Sequence, residues 1–177
     1  MGMKSKQVGK KFETLLKNST PNNILYLRLR DLPMGYNYGA NPADSVLFNG
    51  RLLVFCECKT TENKLFALNR ISEGQFKRLV EMCVHKNVIG GWLINFRKTS
   101  SNYFLPLQTY LTYKYNSTKK SLNERDLDAI AIKVYSHTIR VKAIRMDIAR
   151  MFSDLEIYYA SIFEEDKNES GLNFEKV

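Results

Sequence analysis

Three residues in one short stretch, Asp44, Glu57 and Lys59, have the types and spacing to do chemistry together. Asn49-Gly50 separates two apolar runs, Val46-Leu47-Phe48 and Leu52-Leu53-Val54-Phe55, and this dipeptide is a strong hairpin signal for a two-residue type I′ turn. Such a turn sets Phe48 opposite Arg51, Val46 opposite Leu53 and Asp44 opposite Phe55. Strand side chains alternate between faces, so Phe55, Glu57 and Lys59 share one face and Cys56 and Cys58 point to the other. Asp44 joins the first face, diagonal to Glu57 at roughly 7–8 Å. Two carboxylates at that separation suit a hard divalent cation with oxygen ligands. A neighbouring ammonium suits a water or a phosphate oxygen. Together they are what metal-assisted phosphodiester hydrolysis requires, where the ion polarises the phosphoryl oxygen and acidifies the attacking water. On geometry alone, a surface hairpin ending in a solvated Asp-Glu-Lys network is an equal reading.

The surrounding residues add to this. Asp44 followed by Glu57-Cys58-Lys59, with Glu13 on an earlier helix, resembles the PD-(D/E)XK nuclease superfamily. The string from Glu57 to Lys64, then Phe66 and Leu68, then Gln75 opening a helix, is similar to the RecU family of Holliday junction resolvases, from about Gly9 to about Val134. The resemblance implies a restriction-endonuclease-like α/β fold and a structure-selective DNA endonuclease making paired nicks in four-way junctions. It implies Mg²⁺, with Mn²⁺ as a substitute, held by Asp44, Glu57 and the backbone carbonyl of Cys58. Lys59 then orients or deprotonates the attacking water, and Glu13 completes the metal site. Paired nicks on opposing strands make a twofold homodimer the natural assembly. Two alternatives stay open: a nuclease acting on other branched, duplex or single-stranded DNA, and a non-catalytic DNA-binding recombination protein of the same fold.

The elements that must position these residues follow from periodicity. Val8, Phe12, Leu15 and Leu16 make an amphipathic helix of residues 4–18, with Glu13 at the margin of its stripe. A strand spans Ile24 to Leu29, with Tyr26, Arg28 and Arg30 on one face. Asp31 to Pro42 is an irregular loop with Tyr36 and Tyr38, and loops of this kind on a rigid sheet often carry function. It is shorter than the stalk that RecU proteins carry in this stretch. Leu65 to Leu68 is extended. Ser72-Glu73-Gly74-Gln75 is a capping-box pattern opening a helix. Gln75 therefore either bonds back to Ser72 or, as the resemblance implies, faces the active site. Phe76, Leu79, Val80 and Cys83 form that helix's buried stripe, and residues 87–91 end it. Gly91 to Phe96 reads as a central strand and Tyr103 to Leu107 as the next, with Pro106 at an edge or strand end. Gln108 to Tyr115 is a short helix or extended piece. Ser121 with Glu124 is a second capping box, opening a helix to about Ala129. Ile130 to Val141 holds one or two short strands, and His137 there receives no role. Residues 147–164 form a long amphipathic helix packed on a nuclease domain spanning 1–165, and 166–177 is a polar tail.

Composition sets the bounds. The 177 residues suffice for one domain with a core, and hydrophobic content of 44% with charged content of 25% is ordinary for a globular protein. The 27 Lys and Arg exceed the 18 Asp and Glu for a net charge of +9, which points to a polyanionic partner, most simply DNA. Three cysteines make no disulfide framework, and free thiols suit a cytoplasmic setting, the host's if the gene is a phage's. No stretch approaches the ~20 apolar residues of a membrane span, and the basic N-terminus lacks a signal-peptide core.

Overall fold

The computed structural model describes residues 2–29, 41–140 and 143–165. Tyr36, Tyr38 and most of the loop from Asp31, and the tail 166–177, lie outside the described residues.

The chain runs α1 (Gly2–Ser19), β1 (Leu25–Arg28), β2 (Ser45–Phe48), β3 (Leu53–Thr61), β4 (Phe66–Ala67), a 3₁₀ turn (Leu68–Arg70), α2 (Glu73–Cys83), β5 (Val88–Phe96), β6 (Ser101–Pro106), α3 (Leu107–Asn116), β7 (Ser121–Leu122), α4 (Glu124–Ile130), β8 (Ile132–Val134), β9 (Ser136–Arg140), β10 (Ala143–Met146) and α5 (Ile148–Glu165). The main sheet has six strands in the order β1-β2-β3-β5-β6-β8. All neighbours are antiparallel except β3 and β5, which run parallel across the α2 crossover. This is a mixed α/β architecture with helices on both faces.

The two faces bury separate cores. Phe12 and Leu16 of α1 and Met151, Phe152 and Leu155 of α5 pack on Leu47, Val54, Cys56, Leu93 and Phe104. Leu79 of α2, Leu107 and Tyr110 of α3 and Leu127 of α4 pack on Trp92, Ile94, Phe96, Tyr103 and Leu105. Strand β5 supplies apolar side chains to both cores, as a strand covered on both faces must. On β3 the even-numbered residues face α1 and Phe55 faces α2, so Glu57 and Lys59 fall on the α2 side.

The turn at Asn49-Gly50 differs from the expectation. Only Gly50 is left-handed, at φ +93°, whereas a type I′ turn needs two such residues. Strand β2 pairs Ser45 with Cys56 and Phe48 with Leu53, so residues 49–52 form a four-residue loop. Leu52 is buried in the α1/α5 core. The Asn49 side chain accepts the Arg51 and Leu52 N–H groups at 3.0 and 2.9 Å and donates to Glu156 of α5 at 2.8 Å. Burial of Leu52 and that anchor override the local turn preference. The register slips by two residues, which keeps every side chain on its face. It brings Asp44 from beside Phe55 to the level of Glu57.

Two further expectations are corrected. Ser121 does not cap a helix: Ser121-Leu122 pairs with Phe66-Ala67, and Leu122 is fully buried. The capping box is Asn123 with Asp126, whose side chains bond each other's backbone N–H groups at 2.8 and 3.0 Å. Gly90 and Gly91 do not end α2 but lie in β5, and Asn87, at φ 64°, takes the left-handed position. A Cβ on Gly91 would meet the Leu105 carbonyl oxygen at 2.5 Å and the Phe104 ring at 2.7 Å. Gly91→Ala is therefore expected to destabilise the fold by about 1–3 kcal/mol, seen as a lower urea midpoint at unchanged slope. An unchanged midpoint would contradict the close β5–β6 approach.

Candidate functional site

The site forms at the start of β2, where β3 runs on past its β2 partner while staying paired to β5. Glu57 is 5% exposed, an uncommon position for a carboxylate unless it is paired. Its Oε1 accepts from Lys59 Nζ at 2.9 Å and from Gln75 Nε2 at 2.6 Å. Lys59 Nζ also donates to Gln75 Oε1 at 3.1 Å, closing a triangle of three side chains. Two of the three ammonium protons are thus used, which leaves one for a water or a phosphate oxygen.

Helix α2 places Gln75 there without losing its cap. The Ser72 hydroxyl accepts the Gln75 backbone N–H at 3.3 Å, while the Gln75 side chain turns to Glu57 and Lys59. The capping-box expectation is therefore half met: Ser72 takes the Gln75 backbone N–H, but the Gln75 side chain goes to the site and not back to Ser72.

Asp44 completes the cluster from the neighbouring strand. Its Oδ2 accepts the Cys58 backbone N–H at 2.7 Å. Burial and the facing Glu57 carboxylate push the Asp44 pKa up to about 6, against the lowering effects of that N–H, Lys59 and Arg28. Cys58 meets Asp44 through its N–H. Its thiol lies with Cys56 on the opposite face, where the contact with Cys56, burial, and nearby Asp44 and Glu13 push its pKa well above the ordinary thiol value. All three cysteines are free.

Glu13 stands on the other side of the sheet. Helix α1 brings it to Arg28 of β1, with a 2.7 Å ion pair. The structure therefore brings Asp44, Glu57, Lys59 and Gln75 together and pairs Glu13 with Arg28, whose charge also acts on Asp44, while Glu13 and Asp44 both act on the Cys58 thiol. Arg28 carries no motif signal. Its one trace in the sequence is its strand position two residues after Tyr26.

The pair Asp44 and Glu57 offers hard oxygen donors that repel one another when ionised, a state that a divalent cation relieves. Mg²⁺ commonly takes one or two carboxylates and fills its remaining positions with water and substrate phosphate, so this donor set fits it. Among the described residues, no three His, Cys, Asp or Glu side chains converge as a ready-made cage.

The raised Asp44 pKa has a consequence for stability. A carboxyl whose folded pKa lies above its unfolded value of about 3.8 stabilises the fold at low pH, and that stability is lost as pH rises through about 6. In metal-free buffer, Asp44→Asn is expected to raise the melting temperature over the parent at pH 7.5 but not at pH 4.5. The difference is on the order of 1 kcal/mol once solvent screening is allowed for. Thermal unfolding at both pH values checks this, and an equal offset at the two would contradict the electrostatic origin.

Known proteins resemble this chain over more than half of its length. The RecU family model, Recombination protein U, matches residues 45–149. That span contains Glu57, Lys59 and Gln75 and begins one residue after Asp44. The SPbeta prophage-derived uncharacterized protein YotM of Bacillus subtilis strain 168 is 32% identical over 123 residues, covering 64% of this chain and 63% of that protein. The match thus spans somewhat under two thirds of this relative. The Holliday junction resolvase Hjc of Archaeoglobus fulgidus has a solved structure that covers 70% of this chain and 91% of its own, at 16% identity and a TM-score of 0.48. Among the described residues, no helix is long and apolar enough to cross a membrane. With its family model running from the start of β2 to the start of α5, over more than half of its length, the chain belongs to the RecU family of recombination proteins.

Proposed function

We propose that this protein is a metal-dependent endonuclease that resolves four-way DNA junctions by paired nicks, acting in the cytoplasm as a twofold homodimer. The observation that carries the reading is the convergence of Lys59 and Gln75 on the buried Glu57 carboxylate, beside Asp44. Family membership and the excess of basic residues support a DNA substrate.

Asp44 and Glu57 would hold Mg²⁺ or Mn²⁺, with the Cys58 carbonyl as a further donor. When bound, the ion supplies Lewis-acid polarisation of the phosphate and a lowered pKa for water. Lys59 is held by two acceptors, so its remaining proton is aimed without reorganisation at the charge that grows on the phosphate. Gln75 fixes Lys59 and Glu57 relative to each other and is a positioning residue. Glu13, neutralised by Arg28, would act on the site from behind the sheet.

The test is cleavage of an immobile four-way junction beside a linear duplex of the same sequence, in Mg²⁺ and in EDTA. The expected result is symmetric nicking of the junction in Mg²⁺ alone, by a species of twice the monomer mass. Equal cutting of the duplex would move the assignment to a nuclease on other DNA. Junction binding without cleavage in either Mg²⁺ or Mn²⁺ would make the protein a non-catalytic binder.

A further inference from the structure

A groove of about 850 Å³ opens beside the candidate site. Its walls are the segments that follow Lys59 and precede Gln75, closed by the β4–β7 pair and α3. Four lysines line it, Lys64, Lys114, Lys119 and Lys120, and no carboxylate does. Lys119 is paired to Asp126 at 2.7 Å; Lys64 and Lys120 have no ion pair among the described residues. Two contacts tie the groove's walls to chain neighbours of the site residues. Lys114 Nζ sits 5.4 Å from the centre of the Phe76 ring, next to Gln75. Arg70 donates to the Thr60 carbonyl at 2.7 Å, next to Lys59. The floor is apolar, formed by Leu68, Ile71 and Tyr110, with Leu65 half-exposed at the rim.

A duplex arm presents only phosphates and sugars to such a surface and has no use for an apolar floor. An unpaired strand presents base faces as well, which pack on apolar and aromatic side chains while lysines take the phosphates. We propose that this groove binds unpaired DNA: the nucleotides at the branch point, on the strand leaving Lys59 and Gln75. The inference rests on the nuclease reading for its substrate, but the groove can be tested without cleavage.

The probe is a fluorescent oligo-dT of about ten nucleotides, titrated in EDTA across a salt series, beside a blunt duplex of equal length. Each phosphate contact on a single strand contributes about 0.7 to the slope of log affinity against log salt, so Lys64→Ala/Lys120→Ala should lower that slope by about 1.4. Leu65→Ser should weaken oligo-dT roughly tenfold at unchanged slope and leave the duplex unaffected. Both variants change exposed side chains, and melting curves confirm that they fold. Parental affinity of both variants for oligo-dT overturns the proposal. So does equal weakening of duplex and oligo-dT by the lysine pair with no effect from Leu65→Ser, which would assign the groove to a duplex backbone. A protein that binds oligo-dT here but never nicks a junction loses only the nuclease reading. One that nicks junctions while the variants bind oligo-dT normally loses only the groove.

Discussion

Glu57→Gln is expected to reduce junction cleavage by about 10³-fold or more, with DNA binding retained or strengthened. The amide keeps the shape of the carboxylate, and its oxygen can still accept from Lys59 and Gln75, which now bond Glu57 Oε1 at 2.9 and 2.6 Å. What disappears is one of the two negative charges that would hold the proposed cation beside the scissile phosphate. Metal ions contribute several kcal/mol of transition-state stabilisation, and each 1.36 kcal/mol is tenfold in rate. Binding moves the other way because a charge facing the DNA phosphates is removed. Asp44→Asn should act in the same direction, since its Oδ atom can still accept the Cys58 N–H that Asp44 now takes at 2.7 Å. Single-turnover cleavage in Mg²⁺ and a binding titration in Ca²⁺ separate the two effects. Mg²⁺-dependent cleavage at the parental rate by the double variant would sink the site assignment.

The parts of this site that were legible in the sequence are those fixed by strand periodicity. Asp44, Glu57 and Lys59 share a face because side chains alternate, and an even slip in register cannot change that. The expected turn was wrong by two residues, yet the convergence it implied stands and tightens. The turn itself was not legible, because its geometry depends on Asn49 reaching Glu156, 107 positions away, and on where Leu52 finds a core. The same competition decided the second capping box. Both Ser121–Glu124 and Asn123–Asp126 fit the local pattern, and burial of Leu122 against the β4 segment selected the latter.

Glu13 shows the complementary limit. Helical spacing places it at the margin of α1, but its partner Arg28 comes from a strand whose pairing no local rule connects to that helix. Strand β10 escaped the sequence reading because its apolar residues mark no single face: Ile144 is exposed while Met146, two positions on, is buried. It is held by pairing with β9 and by the Met146 N–H donating to the buried Ser19 hydroxyl at 2.9 Å.

Lys59→Ala separates catalysis from architecture. If Lys59 served only as the counter-ion of a buried carboxylate, its loss would appear as destabilisation. Removing one partner of a largely buried hydrogen-bonded pair costs about 1–3 kcal/mol, and Lys59 and Glu57 side chains are only 15% and 6% exposed. The melting temperature would fall, and the folded fraction would cleave at the parental rate. If its free proton meets the phosphate as charge accumulates there, the loss falls on the chemical step. Removing one such preorganised contact costs on the order of 10²–10³ in rate. Junction affinity should fall far less, because one phosphate contact among many is a small part of the electrostatic total. Gln75→Ala gives the graded control: it frees Lys59 from its second acceptor while leaving the Glu57 pair, so it should slow cleavage by less than Lys59→Ala. The readout is single-turnover cleavage at saturating protein, at a temperature where melting curves show every variant fully folded. A Lys59→Ala protein that cleaves at the parental rate under those conditions would leave Lys59 as the partner of Glu57 and nothing more. The chemistry would then rest on the two carboxylates.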